Sequence, residues 1–315
     1  MNKVWVVAIA AAVLIAALAV YAFKSEHGRR GSFVLASTFV TRYPQAAAKR
    51  PEALEALSWV ARRELSAGRY EQAYQDAEKT QQLCDAALRD RKLDDEPRLP
   101  IALGAAYEVE AQALNKMGRT AEAIGVLQTA LTKWRGTSIA ERLQKNLNLL
   151  TLNGKPMPAL RETEWIGAKP LGSQGLHGKV VLLYFWAHWC SDCKAEAPAV
   201  AQVAREFEPR GLVVIGPTKL YGYTAANDHA PATEEKAFIE KVYDRFYADI
   251  PNIQVPLDGA NFERYGASTT PTNVIVDRKG VVRLYRPGAM DESELRAAIE
   301  PLIDEENVES TSMAR

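Results

Sequence analysis

Three cysteines occur in the 315 residues, and two of them, Cys190 and Cys193, stand one helical turn apart. Thiols at that spacing share a helix face and lie within disulfide reach. They follow an apolar run, Val180 to Phe185, and precede a helix-forming stretch that opens Ala195-Glu196-Ala197. A strand that feeds a helix through a short turn puts Cys190 at the helix N-terminus. Unpaired N–H groups and the positive dipole end there favour a thiolate over a thiol. Cys190 is the expected nucleophile, and Cys193 the thiol that resolves the mixed disulfide. The competing readings are a structural disulfide and half a zinc site. No second CxxC or paired His accompanies the two thiols, so no metal is expected. Lys194 stands where a haem attachment site needs His, and no cofactor is expected.

The segments around the dithiol alternate between strand and helix patterns. Val180–Phe185 and Leu212–Ile215 are apolar enough to be strands buried on both faces. Helices are predicted over 196–207 and 234–247, a short strand at 253–257 and a short helix at 261–265. A strand at 273–276, a turn at Asp277-Arg278-Lys279-Gly280 and its partner at 281–285 form a hairpin, and a helix over 292–303 closes the segment. This order predicts an α/β domain over residues 155–304, with a mixed central sheet and helices on both faces. The residues after Asp304 read as a loose polar tail, 305–315.

The residues Phe185-Trp186-Ala187, Trp189-Cys190-Ser191-Asp192-Cys193-Lys194, Glu196 and Pro198, with Thr270-Pro271-Thr272 before Val274-Ile275-Val276-Asp277, resemble the thioredoxin superfamily. The resemblance is closer to its membrane-tethered TlpA/ResA-like branch. It implies a thiol–disulfide oxidoreductase whose catalytic set is Cys190, Cys193 and Glu196, with Trp189, Thr270 and Pro271 binding substrate. In that family a Glu at the place of Glu196 helps proton transfer at the cysteines; the bland alternative is a first-turn Glu favoured by the dipole. Thioredoxins proper carry a buried Asp where Tyr184 stands here, which moves the proton question to Glu196. Pro271 is the best candidate for a cis bond, since only X-Pro pays little for it, and Thr270 would offer backbone groups to a substrate strand. His188 departs from the family pattern: it would stabilise the thiolate as an imidazolium, or be a surface residue. The loop 216–233 is long, and Tyr221, Tyr223 and His229 would make a partner surface or a mobile excursion.

Two other regions surround this domain. Val4 to Phe23 is twenty residues without a charge, about the length that spans a bilayer. Residues 1–24 are therefore expected to be a transmembrane anchor, with a cleaved signal segment as the alternative. Flanking charge leans toward a cytoplasmic C-terminus. The resemblance to exported redox proteins favours the opposite, a domain facing the periplasm or cell surface. Residues 31–150 are rich in Ala, Leu, Glu and Arg at helical spacing. Two stretches, around Gly68 and Gly118, read helix–Gly–turn–Ala–helix and resemble tetratricopeptide repeats. The glycines are 50 residues apart, so this is no tandem array. An ordinary helical bundle is the alternative. Cys84 lies in this region and reads as a small buried hydrophobe. Gly154, Pro156 and Pro158 place the domain boundary near 153–158.

Lys+Arg and Asp+Glu both number 39, so no whole-chain field points to nucleic acid. The expected partners are protein thiols and disulfides, a second redox protein that recharges the CxxC, the membrane through the N-terminal helix, and a protein on the repeat-like region. The alternative function is an adaptor in which the α/β domain merely docks; an intact CxxC argues against it. A peroxidase of the peroxiredoxin type is disfavoured because both thiols sit in one CxxC.

Overall fold

The computed structural model describes residues 50–167 and 171–313. The chain divides into two compact units, 1–139 and 140–315.

The first unit is helical: α1 (Pro51–Ser66), α2 (Tyr70–Ala87), α3 (Arg98–Lys116) and α4 (Thr120–Lys133). Pro51 opens α1, where its missing N–H is no loss. Three residues join α1 to α2 and three join α3 to α4. Gly68 and Gly118 sit in these turns at φ of 75° and 80°. A Cβ would meet nothing within 4 Å at either place, so the left-handed backbone alone calls for glycine. Ala61, Ala73, Ala77, Val109 and Ala113 form one buried cluster; small side chains let these helices approach closely. The charged stretch 89–96 is a connection with one 3-10 turn, Leu93–Asp95, anchored by buried Leu93. At its end Glu96 Oε2 accepts the N–H groups of Arg98 and Leu99, at 2.9 and 3.0 Å. It thereby satisfies orphan donors of α3. Cys84 is buried, and burial pushes its thiol up to about 12, as an inert hydrophobe requires.

The second unit contains α5 (Ala140–Thr151), β1 (Trp165–Ile166), β2 (Val180–Phe185), α6 (Ser191–Phe207), β3 (Leu212–Ile215), α7 (Ala232–Phe246), β4 (Val255–Pro256), α8 (Gly259–Tyr265), β5 (Thr272–Val276), β6 (Val282–Pro287) and α9 (Glu292–Met313). The main sheet has the order β3-β2-β5-β6. β2 and β3 are parallel, and β5 is antiparallel to both β2 and β6, so the sheet is mixed as the element order predicts. β1 pairs with β4, and bridges at Ile215–Gln254 and Thr218–Leu257 continue that segment beside β3. All six residues of β2 are buried. Val180, Leu182 and Tyr184 enter the core on one face with α6; Val181, Leu183 and Phe185 enter the core on the other with α8. A strand covered on both faces has to read as an unbroken apolar run.

Two expectations change. The helix 140–151, read from sequence as part of the helical region, belongs to the second unit, where it packs against α8 and β6. Gly266 makes this possible: at φ 59°, a Cβ there would lie 2.2 Å from Lys145 N and 2.6 Å from Gln144 C. The polar tail is not loose through residue 313, because α9 continues to Met313; no Gly or Pro follows Pro301 to stop it. The apolar segment Val4–Phe23 lies outside the described residues. Among the described residues no helix is long and apolar enough to cross a membrane.

Candidate active site

Cys190 is the N-cap of α6, with extended backbone (φ −72°, ψ 110°), and its Sγ accepts the N–H of Cys193 at 3.0 Å. The two cysteines form a disulfide with Cα atoms 5.3 Å apart. Cys193 is fully buried and Cys190 is 3% exposed. Cys190 is thus the sulfur nearer solvent, although less open than a helix-start position suggests. Trp189, next to it, is 49% exposed.

The turn that carries Trp186 to Cys190 is held by its own backbone and by the segment after β3. Cys190 N–H donates to Ala187 O (3.0 Å) and Trp186 N–H to Pro217 O (3.1 Å). Trp186 Nε1 donates to Gly216 O (2.8 Å), and Thr218 Oγ1 donates to Trp186 O (3.0 Å). Gly216 is needed for this fit, because a Cβ there would lie 2.9 Å from Ile253 Cδ1 and 3.1 Å from Trp186 Nε1.

His188 is buried, which overturns the surface reading. Its Nε2 lies 3.2 Å from Glu235 Oε1. Glu235 also accepts Tyr221 N–H and, at 2.7 Å, Gly222 N–H. Burial holds the imidazole below its ordinary pKa against the pull of the carboxylate, which disfavours the imidazolium. With Nε2 facing the Glu235 carboxylate, the Nε2–H tautomer is the neutral form that makes this contact a hydrogen bond. Its ring packs edge-on against Tyr221, Tyr223 and Phe238, and Tyr221 packs edge-on against Trp189 at 5.6 Å.

The loop after β3 is no loose excursion. Thr224 Oγ1 accepts two backbone N–H groups, and Ala230 N–H donates to Gly222 O at 2.9 Å. Tyr221 and Tyr223 therefore reach the dithiol turn, whereas the exposed His229 is not brought there.

On the inner side, Tyr184 donates its hydroxyl to Cys193 O. Burial first, then the Tyr247 hydroxyl and Glu196, raises the Tyr184 pKa. Glu196 lies three residues past Cys193 on α6 and is 5% exposed. Its Oε1 accepts Asn273 Nδ2–H and Met290 N–H, both at 2.9 Å, while Oε2 is buried without a partner. Desolvation raises its pKa from 4.5 to about 7 against those two donors. A first-turn Glu held by the dipole alone would be solvated, so the bland alternative does not describe this side chain.

The Thr270–Pro271 bond is cis. Phe185 of β2 pairs with Thr272 of β5, so Pro271 and the turn that leads to Cys190 share one end of the sheet. Thr270 Oγ1 is buried without a partner. Gly288 N–H donates to Pro271 O at 2.8 Å, and Gly288 O accepts Asn273 Nδ2 at 3.3 Å. Asn273 and Glu235 were invisible to sequence reasoning. The one signal for Asn273 is an Asn directly before the apolar run Val274–Val276 of a buried strand, a residue type depleted there. Among the described residues no group of three or more His, Cys, Asp or Glu could hold a metal ion.

Comparison with known proteins agrees with this site. Residues 154–285 match the AhpC/TSA family. A thiol:disulfide interchange protein DsbE of Pseudomonas fluorescens is 32% identical over 156 residues, covering 48% of this chain and 78% of its own length. The ResA thiol-disulfide oxidoreductase of Geobacillus thermodenitrificans is 26% identical, covering 40% and 64%. A solved thiol-disulfide isomerase from Corynebacterium glutamicum is 22% identical, covering 49% and 98%, with a TM-score of 0.41. With its CxxC disulfide at the start of α6 and a DsbE relative matched over most of that relative's length, the chain belongs to the thioredoxin-like thiol-disulfide oxidoreductases that include DsbE and ResA.

Proposed function

We propose that the protein exchanges disulfides with partner proteins, tethered to a membrane by residues 1–24 and with its α/β unit outside the cytoplasm. In the oxidised state a partner thiolate attacks Cys190 Sγ. The Cys190–Cys193 bond breaks, a mixed disulfide forms, and Cys193 leaves as a thiolate that takes a proton from Glu196. In the reverse direction Glu196 accepts the Cys193 proton, and the thiolate attacks Cys190 Sγ and expels the partner thiolate. Thr270 and cis-Pro271 present backbone groups to an extended partner segment, and exposed Trp189 offers it an apolar contact. The two Gly-centred helix hairpins of the first unit serve as a tetratricopeptide-like surface that recruits a protein partner. A separate redox protein recharges the dithiol.

The observation that carries this reading is Cys190 at the N-cap of α6 in a disulfide with Cys193. The helix terminus favours its thiolate, which both attacks and leaves well. The test is insulin reduction with dithiothreitol, wild type against Cys190→Ser. Catalysis by wild type alone supports the reading, and equal rates would sink it. Protease protection in intact cells tests the orientation: digestion of the α/β unit from outside is the expected result.

A further inference from the structure

Asn273 is the second residue of β5, between Thr272 and the apolar run Val274–Val276; it is fully buried and lies opposite Tyr184 across the β2–β5 ladder. A buried amide on a central strand is costly unless its protons are used. Both are, although Oδ1 is buried without a partner: Nδ2 donates to Glu196 Oε1 at 2.9 Å and to Gly288 O at 3.3 Å. The opposite amide orientation would aim an oxygen at two acceptors, so these contacts fix how Asn273 points. Glu196 Oε1 also takes Met290 N–H, while Oε2 has no partner. The carboxyl is thus divided into one oxygen held by two donors and one oxygen with none.

We infer that Asn273 is a positioning residue for the dithiol chemistry: it locks Glu196 Oε1 in place so that Oε2 is the oxygen that gains and loses the proton. This rests on the proposed proton exchange between Glu196 and Cys193. Two geometric facts beyond the hydrogen bond itself support it. Asn273 lies two residues after cis-Pro271, and through Gly288, whose N–H donates to Pro271 O, it joins the loop that would receive a partner to the carboxyl beneath the dithiol. The charged and titratable groups around Glu196 are Arg286 on β6, Glu294 on α9, Tyr184 on β2 and Tyr247 after α7. None of them makes a hydrogen bond to the carboxyl, so among the described residues Asn273 and Met290 N–H are the donors that fix its orientation.

The test compares wild type, Asn273→Val, Asn273→Ser and Glu196→Gln in the full chain. Valine fills the site without a donor, and serine restores one. The first readout is the Glu196 carboxyl midpoint by carbon NMR, its signal identified by loss in Glu196→Gln. The second is the pH dependence of the insulin-reduction rate. A donor to the carboxylate stabilises the charged form, so its loss in Asn273→Val raises the carboxyl midpoint by about one unit. The rate midpoint moves with it, and Asn273→Ser recovers part of both shifts. A carboxyl midpoint that stays in place overturns the inference. So does a carboxyl shift without a rate shift when Glu196→Gln does change the rate profile. An unchanged profile in Glu196→Gln overturns the proton-exchange reading instead, and is told apart because the carboxyl signal of Asn273→Val still moves.

Discussion

The hydroxyl of Tyr184 donates to the carbonyl oxygen of Cys193, across the interface between β2 and α6. Cys193 O lies in the first turn of α6, and its strand-side partner stands where thioredoxins proper place an acid. Tyr184→Phe removes one buried hydrogen bond and leaves a carbonyl less well satisfied. The expected cost is about 1 kcal/mol, or roughly 2–4 °C for a unit of this size. Differential scanning calorimetry checks it, and the CxxC should still form its disulfide.

Glu196 makes stability fall as pH rises. Its pKa is raised from 4.5 to about 7 in the fold. Below 4.5 both folded and unfolded chains hold the proton and nothing is lost. Between about 4.5 and 7 the unfolded chain releases the proton first, so unfolding gains, and above 7 the loss is complete. The total is about 3 kcal/mol. Glu196→Gln should therefore be more stable than wild type at pH 8, with the advantage vanishing near pH 4.5. Urea titrations at several pH values test this; a constant difference across the range would refute it.

Cys193→Ala should accumulate mixed disulfides, since Cys190 Sγ keeps its place at the N-cap of α6 while the resolving thiol is gone. Non-reducing gels of the variant after exposure to oxidised insulin should show an adduct that dithiothreitol removes. Cys190→Ser should give none, because the fully buried Cys193 cannot be reached.

Two glycines with positive φ should respond differently to alanine. Gly222 (φ 84°) has nothing within 4 Å of a Cβ, whereas Gly266 would drive a Cβ into the backbone of Gln144 and Lys145. Gly222→Ala should cost about 1 kcal/mol, the left-handed strain alone. Gly266→Ala adds a backbone clash on both α5 and the turn after α8, so about 3 kcal/mol or more is expected. Urea midpoints decide between them, and similar values would contradict the close approach of α5.

These contrasts mark what the sequence could reveal. β3 begins and ends where its apolar run does, and β2 begins where its run begins, because a strand covered on both faces shows its boundaries in composition. The CxxC, its preceding strand and the Thr-Pro before β5 were legible as a local pattern. The attachment of α5 was not: it is an amphipathic helix next to other helices in sequence, and its partner surface at Gly266 and Tyr285 lies more than a hundred residues later. His188 and Glu196 were ambiguous for the same reason. Each is decided by distant partners, Glu235 at a separation of 47 residues for His188, and Asn273 at 77 and Met290 at 94 for Glu196, and burial of a polar side chain has no local signature.

Glu235 provides the sharpest test of how the loop after β3 is held. Its buried carboxylate accepts His188 Nε2–H and the N–H groups of Tyr221 and Gly222. Glu235→Ala strands three donors at once, one on the buried His188 and two partly buried loop amides, so the cost should reach about 3 kcal/mol. His188→Phe keeps an aromatic ring among Tyr221, Tyr223 and Phe238 and removes only one donor. It should cost about 1 kcal/mol and leave the loop amides with their acceptor. In hydrogen exchange, Tyr221 and Gly222 should lose protection in Glu235→Ala and keep it in His188→Phe. The double variant should be less destabilised than the sum of the two, by about 0.5–3 kcal/mol, because the contact between them is counted in both singles. Full additivity, or equal deprotection of the loop in both singles, would mean that the carboxylate does not join His188 and the loop into one unit. Preserved loop protection in His188→Phe with faster exchange at Trp189 would instead make the Nε2–H, which the variant loses, rather than the ring, which it keeps, the contact that orders the turn before Cys190.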